Sequence, residues 1–326
     1  MQGDQRERSM RPGECSASAG SGCTSTFEAD DGKAIFVRCW QPDADVTPVA
    51  VVHIAHGMAE HSERYARVAE ALTKSGYIVY ANDHRGHGKT ASSDELGWMG
   101  KDGINRAVSD LHEMVEDEKA RHKDLPFFLF GHSMGSFLTQ AFLIQHGKLL
   151  RGAILSASSG KPNLLAQAGR LVARAERARK GERNPSSLLT GLSFDAFNKA
   201  FAPTRTAFDW LSRDAAEVDK YIADPLCGFP VSTQLWVDLL DATADIARPE
   251  RQAKIPSDLP VLIFAGARDP VSENTKGLDK LLAAYARAGL KDVTHRYYAD
   301  ARHETLNETN RDEVTADLLK WLDSRR

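Results

Sequence analysis

Gly131-His132-Ser133-Met134-Gly135 constrains this chain more than any other stretch. Before it, Phe127 to Phe130 is a short apolar run bounded by Pro126 and Gly131, the pattern of a strand buried on both faces. After it, Ser136 to Gln145 runs at helical spacing. The pentapeptide therefore falls where a strand turns into a helix. The two glycines permit an abrupt turn, which holds Ser133 strained and exposed at the positive end of the helix dipole. The competing reading is a glycine-rich turn with a chance serine, so the rest of the chain must supply partners for it.

Strand-like and helix-like patterns alternate through most of the 326 residues, which predicts one α/β domain with an insertion. Phe27–Ala29 and Ala34–Trp40, separated by Asp30-Asp31-Gly32-Lys33, predict an antiparallel hairpin. Val49–Ala55, Tyr77–Ala81, Gly152–Ser156 and Pro260–Ala265 read as further buried strands, and Asp292–Tyr298 as another strand. Residues 1–26 are polar and lack an apolar h-region, so a disordered leader is expected there, and not a secretory signal. The core is expected over 27–158 and 258–326. Between them, 159–257 shows only helical stretches and Pro/Gly punctuation and predicts an inserted helical cap.

A net charge of −3 gives no global basic footprint for nucleic acid, and no apolar run is long enough for a transmembrane helix. Cys15, Cys23, Cys39 and Cys227 show neither a disulfide framework nor a zinc spacing, which predicts a cytoplasmic location. Asp83, His84 and His87, with His53 and His56 nearby, lack any familiar metal-ligand spacing, so no metal is expected.

A serine hydroxyl needs a general base within hydrogen-bond reach, and the base needs an orienting group. Asp269 and His303 each follow a buried-strand pattern, as Ser133 does, so all three are predicted at one edge of a parallel sheet. Rivals are weaker. Asp241 and Asp245 fall on solvated faces of a cap helix, and His295 lies inside an alternating strand. His56 and His132 are expected to shape the pocket together with Gly57. The first cap helix, Leu164 to Lys180, carries leucines on one face and Arg170, Arg174 and Arg177 on the other. A solvated face is the first expectation there, and peripheral contact with an anionic membrane through those arginines is the second.

The set His56-Gly57-Met58-Ala59-Glu60-His61-Ser62-Glu63-Arg64-Tyr65, Asp83-His84-Arg85-Gly86-His87-Gly88, Gly131 to Gly135, Asp269-Pro270-Val271-Ser272 and Ala301 to Glu308 resembles the monoacylglycerol lipase and lysophospholipase branch of the α/β hydrolases. The resemblance runs from about Phe27 to Leu322. It implies Ser133 as nucleophile, Asp269 as acid, His303 as base, and the Met58 and Met134 N–H groups as the oxyanion hole. It implies hydrolysis of a carboxylic ester, with a single-chain lipid as substrate and no cofactor. Two departures stand out: Thr90 replaces a common Ser, and the cap helix is unusually rich in Arg. A short-chain esterase or thioesterase, a peptidase using Glu60 or Glu63, and a non-catalytic binding protein are the alternatives.

Overall fold

The computed structural model describes residues 11–15, as backbone, and 22–326. Nine strands form one sheet in the order β1-β2-β3-β5-β4-β6-β7-β8-β9. They are β1 (Arg11–Cys15), β2 (Cys23–Glu28), β3 (Ala34–Trp40), β4 (Ala50–Ala55), β5 (Tyr77–Asn82), β6 (Phe127–His132), β7 (Gly152–Ser156), β8 (Val261–Gly266) and β9 (Val293–Tyr298). From β5 to β9 across the sheet every pairing is parallel, while β1, β2 and β3 pair antiparallel at one edge.

The strand order reverses at β4, whose neighbours are β5 and β6. Chain reversal at that point leaves a crevice at the C-terminal ends of the strands, where open α/β sheets place ligands. Period-two alternation divides the core into two layers. Val51, Phe127 and Leu129 face α2 (Gly103–Arg121) and α3 (Met134–His146), together with α10 (Lys276–Ala288). Val52, Ile54, Phe128 and Phe130 face α1 (Ala66–Lys74) and α11 (Arg311–Asp323). Both faces being covered is why these strands read as continuous apolar runs.

Between β7 and β8 the chain forms the helical insertion: α4 (Leu164–Lys180), α5 (Ser187–Leu192), α6 (Phe194–Lys199), α7 (Ala215–Ala223), α8 (Thr233–Ile246) and α9 (Pro249–Gln252). Asn163 caps α4 by accepting from the Ala166 N–H, and Gly181 ends it. No helix among the described residues is long and apolar enough to cross a membrane.

Two expectations are corrected. Residues 11–15 and 23–26 of the expected leader belong to strands, because the Asp30–Lys33 turn extends the hairpin and gives β1 an edge to join. Positions 1–10 and 16–21 lie outside the described residues. Cys23 is disulfide-bonded, with Cys15 as its backbone partner across the ladder, so the cysteines no longer support a reducing compartment.

Candidate active site

Ser133 sits between β6 and α3 with φ 52° and ψ −118°, outside the regions that L-residues favour. The surroundings explain how this turn is held. Its N–H donates to Ser156 O (3.0 Å), and its carbonyl accepts from Ser136 N–H and Ser136 Oγ. A Cβ at Gly131 would strike Gly135 O and Thr139 Oγ1, and a Cβ at Gly135 would strike Ala55 O. Both glycines are thus required by close packing of β6, α3 and β4.

Asp269 lies three residues beyond β8, and His303 five beyond β9. Both are buried. His303 Nδ1 donates to Asp269 Oδ1 at 2.8 Å, since an ionised carboxylate only accepts. Nε2 of the neutral ring is then the unprotonated nitrogen. Burial opposes a charge on His303, but the Asp269 carboxylate outweighs it and raises the imidazole pKa above the usual range. Val271 N–H also donates to Asp269 Oδ1 (2.9 Å), which fixes the carboxylate.

Ser133 and His303 line one small cavity of about 40 Å³ together with Gly57, Glu60, His132, Trp210 and Glu304. On its other side Ser133 opens onto a larger cavity of about 480 Å³. That volume is ordinary for a small-molecule site, about 300–1,000 Å³. Met58 and Met134 line it beside Ser133, and cap residues Val172, Leu189, Leu192 and Leu239 supply an apolar wall. Met134 is the first residue of α3, so its N–H belongs to the open turn of a helix N-terminus.

The three histidines and glycines predicted to shape the pocket divide. Gly57 and His132 line the small cavity. A Cβ on Gly57 would lie 2.8 Å from Glu60 Oε1 and 3.3 Å from Ser133 Cβ, so only glycine fits over Ser133. His132 bonds Ser156 Oγ (3.1 Å); burial and then the charge of His303 lower its pKa to about 4, so it is neutral at neutral pH. His56 lines neither cavity. It accepts from His84 N–H at Nε2 (2.9 Å) and donates from Nδ1 to Gly57 O (2.7 Å), bracing the loop from beneath. The rivals fall away: Asp241 pairs with Arg170 and Arg174, Asp245 with Arg248 and Arg251, and His295 is exposed on β9.

Sequence reasoning missed a buried ionic brace. Glu60 Oε1 accepts from Gly57 N–H (2.6 Å) and Tyr65 OH (2.9 Å), and Glu60 Oε2 accepts from Arg64. Arg64 also grips Glu304 with two bonds of 2.7 Å. Burial would raise the pKa of Glu304, but the Arg64 guanidinium holds it well below the usual range. The loop at Gly57 and Met58 is thereby tied to the residue after His303. The signal was three charged residues within apolar-flanked loops, each ambiguous alone. The cap adds two further ties: Leu211 O accepts from Glu304 N–H (2.8 Å), and the Trp210 ring lies 4.8 Å from the His303 ring.

The first cap helix is turned opposite to expectation. Arg170 and Arg174 reach Asp241 on α8 (2.9 and 2.8 Å), and Arg177 reaches Gln234 (2.9 Å). Leu164, Leu165 and Leu171 are 82%, 78% and 69% exposed. Leu165 also lines the large cavity, which places it at the mouth.

Comparison with known proteins agrees with this architecture. A monoglyceride lipase of Mus musculus is 29% identical over 297 residues, 86% of each chain. A monoacylglycerol lipase of Mycolicibacterium smegmatis is 28% identical over 314 residues, covering 91% of this chain and 95% of that one. Among solved structures, a thermostable carboxyl esterase of Bacillus coagulans superposes with a TM-score of 0.85 at 27% identity, over 93% of this chain and 98% of that one. Residues 46–310 match the family of serine aminopeptidases designated S33, and with most of its length inside that match the chain belongs to this family of α/β hydrolases.

Proposed function

We propose that this protein is a serine hydrolase that cleaves carboxylic esters of single-chain lipids, of the monoacylglycerol type, through an acyl-enzyme. The observation that carries the reading is the position of Ser133 at the junction of a large apolar cavity and a small one that Glu60, His132, His303 and Glu304 help to line. An acyl chain fills the first and a short alcohol the second. Ser133 Oγ attacks the ester carbonyl while His303 Nε2 takes its proton. Asp269 keeps the ring in the tautomer that donates from Nδ1 and stabilises the imidazolium. The Met58 and Met134 N–H groups receive the oxyanion, each worth ~3 kcal/mol of transition-state stabilisation. His303 then protonates the departing alcohol and activates water to release the acid.

Substrate entry follows from the cap. The exposed Leu164, Leu165 and Leu171, with Leu165 at the cavity mouth, dock on a lipid surface, and the arginines, engaged by Asp241 and Gln234, hold α4 to α8. Side-by-side hydrolysis of monoacylglycerols and lysophospholipids tests the substrate class. A general short-chain esterase is the second reading, favoured by the close superposition on the Bacillus coagulans esterase. The peptidase reading is disfavoured, because Arg64 engages both Glu60 and Glu304 and Glu63 pairs with Arg38 away from the cavities.

A further inference from the structure

Behind the small cavity, a second cluster of chemically active side chains joins the core to the cap. His61 ends the tight loop that carries Gly57 and Met58, and it is buried. Asp224 and Cys227 come from the cap, in the turn that follows α7. His61 Nε2 and Asp224 Oδ2 are 2.9 Å apart, and Cys227 Sγ lies with them so that all three atoms fall within 4.8 Å of one another.

The cluster is preorganised. Asp224 Oδ1 accepts from Leu226 N–H (2.8 Å) and Asp224 O accepts from Cys227 N–H (3.0 Å), so the turn presents Oδ2 and Sγ on the same side. Cys227 is a free thiol, 9% exposed, and its Sγ takes no hydrogen bond among the described residues. A buried polar atom aimed at two unlike donors, with no partner of its own, needs an explanation. Neighbouring charge favours a cation: the carboxylates of Glu60, Glu304 and Asp224 act on the cluster against the positive charge of Arg64.

We propose that His61, Asp224 and Cys227 form a site for a thiophilic divalent cation of the Zn²⁺ or Cd²⁺ type. One nitrogen, one oxygen and one sulfur ligand suit such ions, and the partly exposed side of Asp224 leaves a fourth position to water. Binding replaces the thiol proton with the metal: the S–H bond breaks, an S–metal bond forms and one proton goes to solvent. Meanwhile the neutral His61 ring exchanges its Nε2–H, which donates to Asp224 Oδ2, for an Nδ1–H, so that Nε2 can ligate with no further proton lost. Burial holds the free thiol well above its usual range, so this proton is bound until the metal displaces it. Gly228 N–H and Tyr221 OH already bond Ala59 O from the cap, both at 2.9 Å. The ion adds a further tie between the cap and the loop bearing Met58.

The test is a titration of the full chain with Cd²⁺ after chelator treatment. The proposal predicts 1:1 binding by calorimetry, an ultraviolet thiolate-to-cadmium charge-transfer band, and release of one proton. Cys227→Ser abolishes the band, and His61→Gln weakens binding at least tenfold. Cys39→Ser changes neither. A second measurement needs no variant: Cd²⁺ slows alkylation of Cys227 by iodoacetamide at least tenfold, read by mass spectrometry, and leaves Cys39 unaffected. Absence of 1:1 binding, a band that survives Cys227→Ser, or equal alkylation of Cys227 with and without Cd²⁺ overturns the proposal.

Discussion

At the core end of the site, Arg64 is enclosed between Glu60 and Glu304, all three with side chains at most 12% exposed. On the cap, Arg174 meets Asp241 with side chains 42% and 37% exposed. The same kind of ion pair has different weight in the two places. Water screens the cap pair, which holds α4 against α8 at a gain of about 0–1 kcal/mol. The core pair has no water to fall back on, so its geometry is rigid and its loss is severe. The core fixes Ser133, Asp269 and His303, and the cap turns its leucines outward with Leu165 at the cavity mouth, where the proposed function has the substrate enter.

Replacing Ser133 with Ala tests the core side first. Hydrolysis of p-nitrophenyl esters falls on the order of 10⁶-fold, and labelling by a fluorophosphonate probe disappears. Asp269→Asn lowers kcat roughly 10⁴-fold by allowing the wrong tautomer of His303. In the wild type the base must be neutral, so kcat/KM rises with pH through the raised pKa of His303. Without the Asp269 charge that acid limb moves to lower pH; an unmoved limb assigns it to another group.

Arg64→Met leaves Glu60 and Glu304 buried without their cation and costs about 3–5 kcal/mol in denaturant unfolding. Arg174→Met on the cap costs no more than about 1 kcal/mol. Equal losses at the two positions erase the contrast between core and cap. The smallest effect concerns the leucines: Leu164→Ser, Leu165→Ser and Leu171→Ser combined weaken binding to lipid vesicles about tenfold and leave hydrolysis of soluble p-nitrophenyl acetate near its starting rate. Neutralising Arg170, Arg174 and Arg177 changes vesicle binding less than this.

The same division governs what the sequence discloses. Ser133 and Asp269 are legible because each follows a strand buried on both faces, and such strands announce themselves as apolar runs ending at one sheet edge. His303 follows the edge strand β9, which is exposed over 294–296 and not the buried strand expected, so it is legible only as a third group at the same sheet edge. The hairpin at Asp30–Lys33 is legible for a similar local reason. The orientation of α4 is not. Its leucine and arginine faces are both coherent, and only the presence of Asp241 and Gln234 on α8 decides which turns inward. The Glu60–Arg64–Glu304 brace is hidden by distance, since Arg64 and Glu304 are 240 residues apart. The disulfide at Cys23 is hidden because the pairing of β1 with β2 depends on an edge that the sequence does not mark.

The central claim is that Ser133 serves a long apolar cavity on one side and a short alcohol on the other. An acyl-chain series of monoacylglycerols from C2 to C16, compared by kcat/KM at concentrations below micelle formation, tests it most directly. The account predicts that kcat/KM rises with chain length, by at least tenfold from C2 to the optimum, and that this rise is flattened by Leu239→Gln within the cavity wall. A maximum at C2 with a steady fall toward longer chains contradicts it.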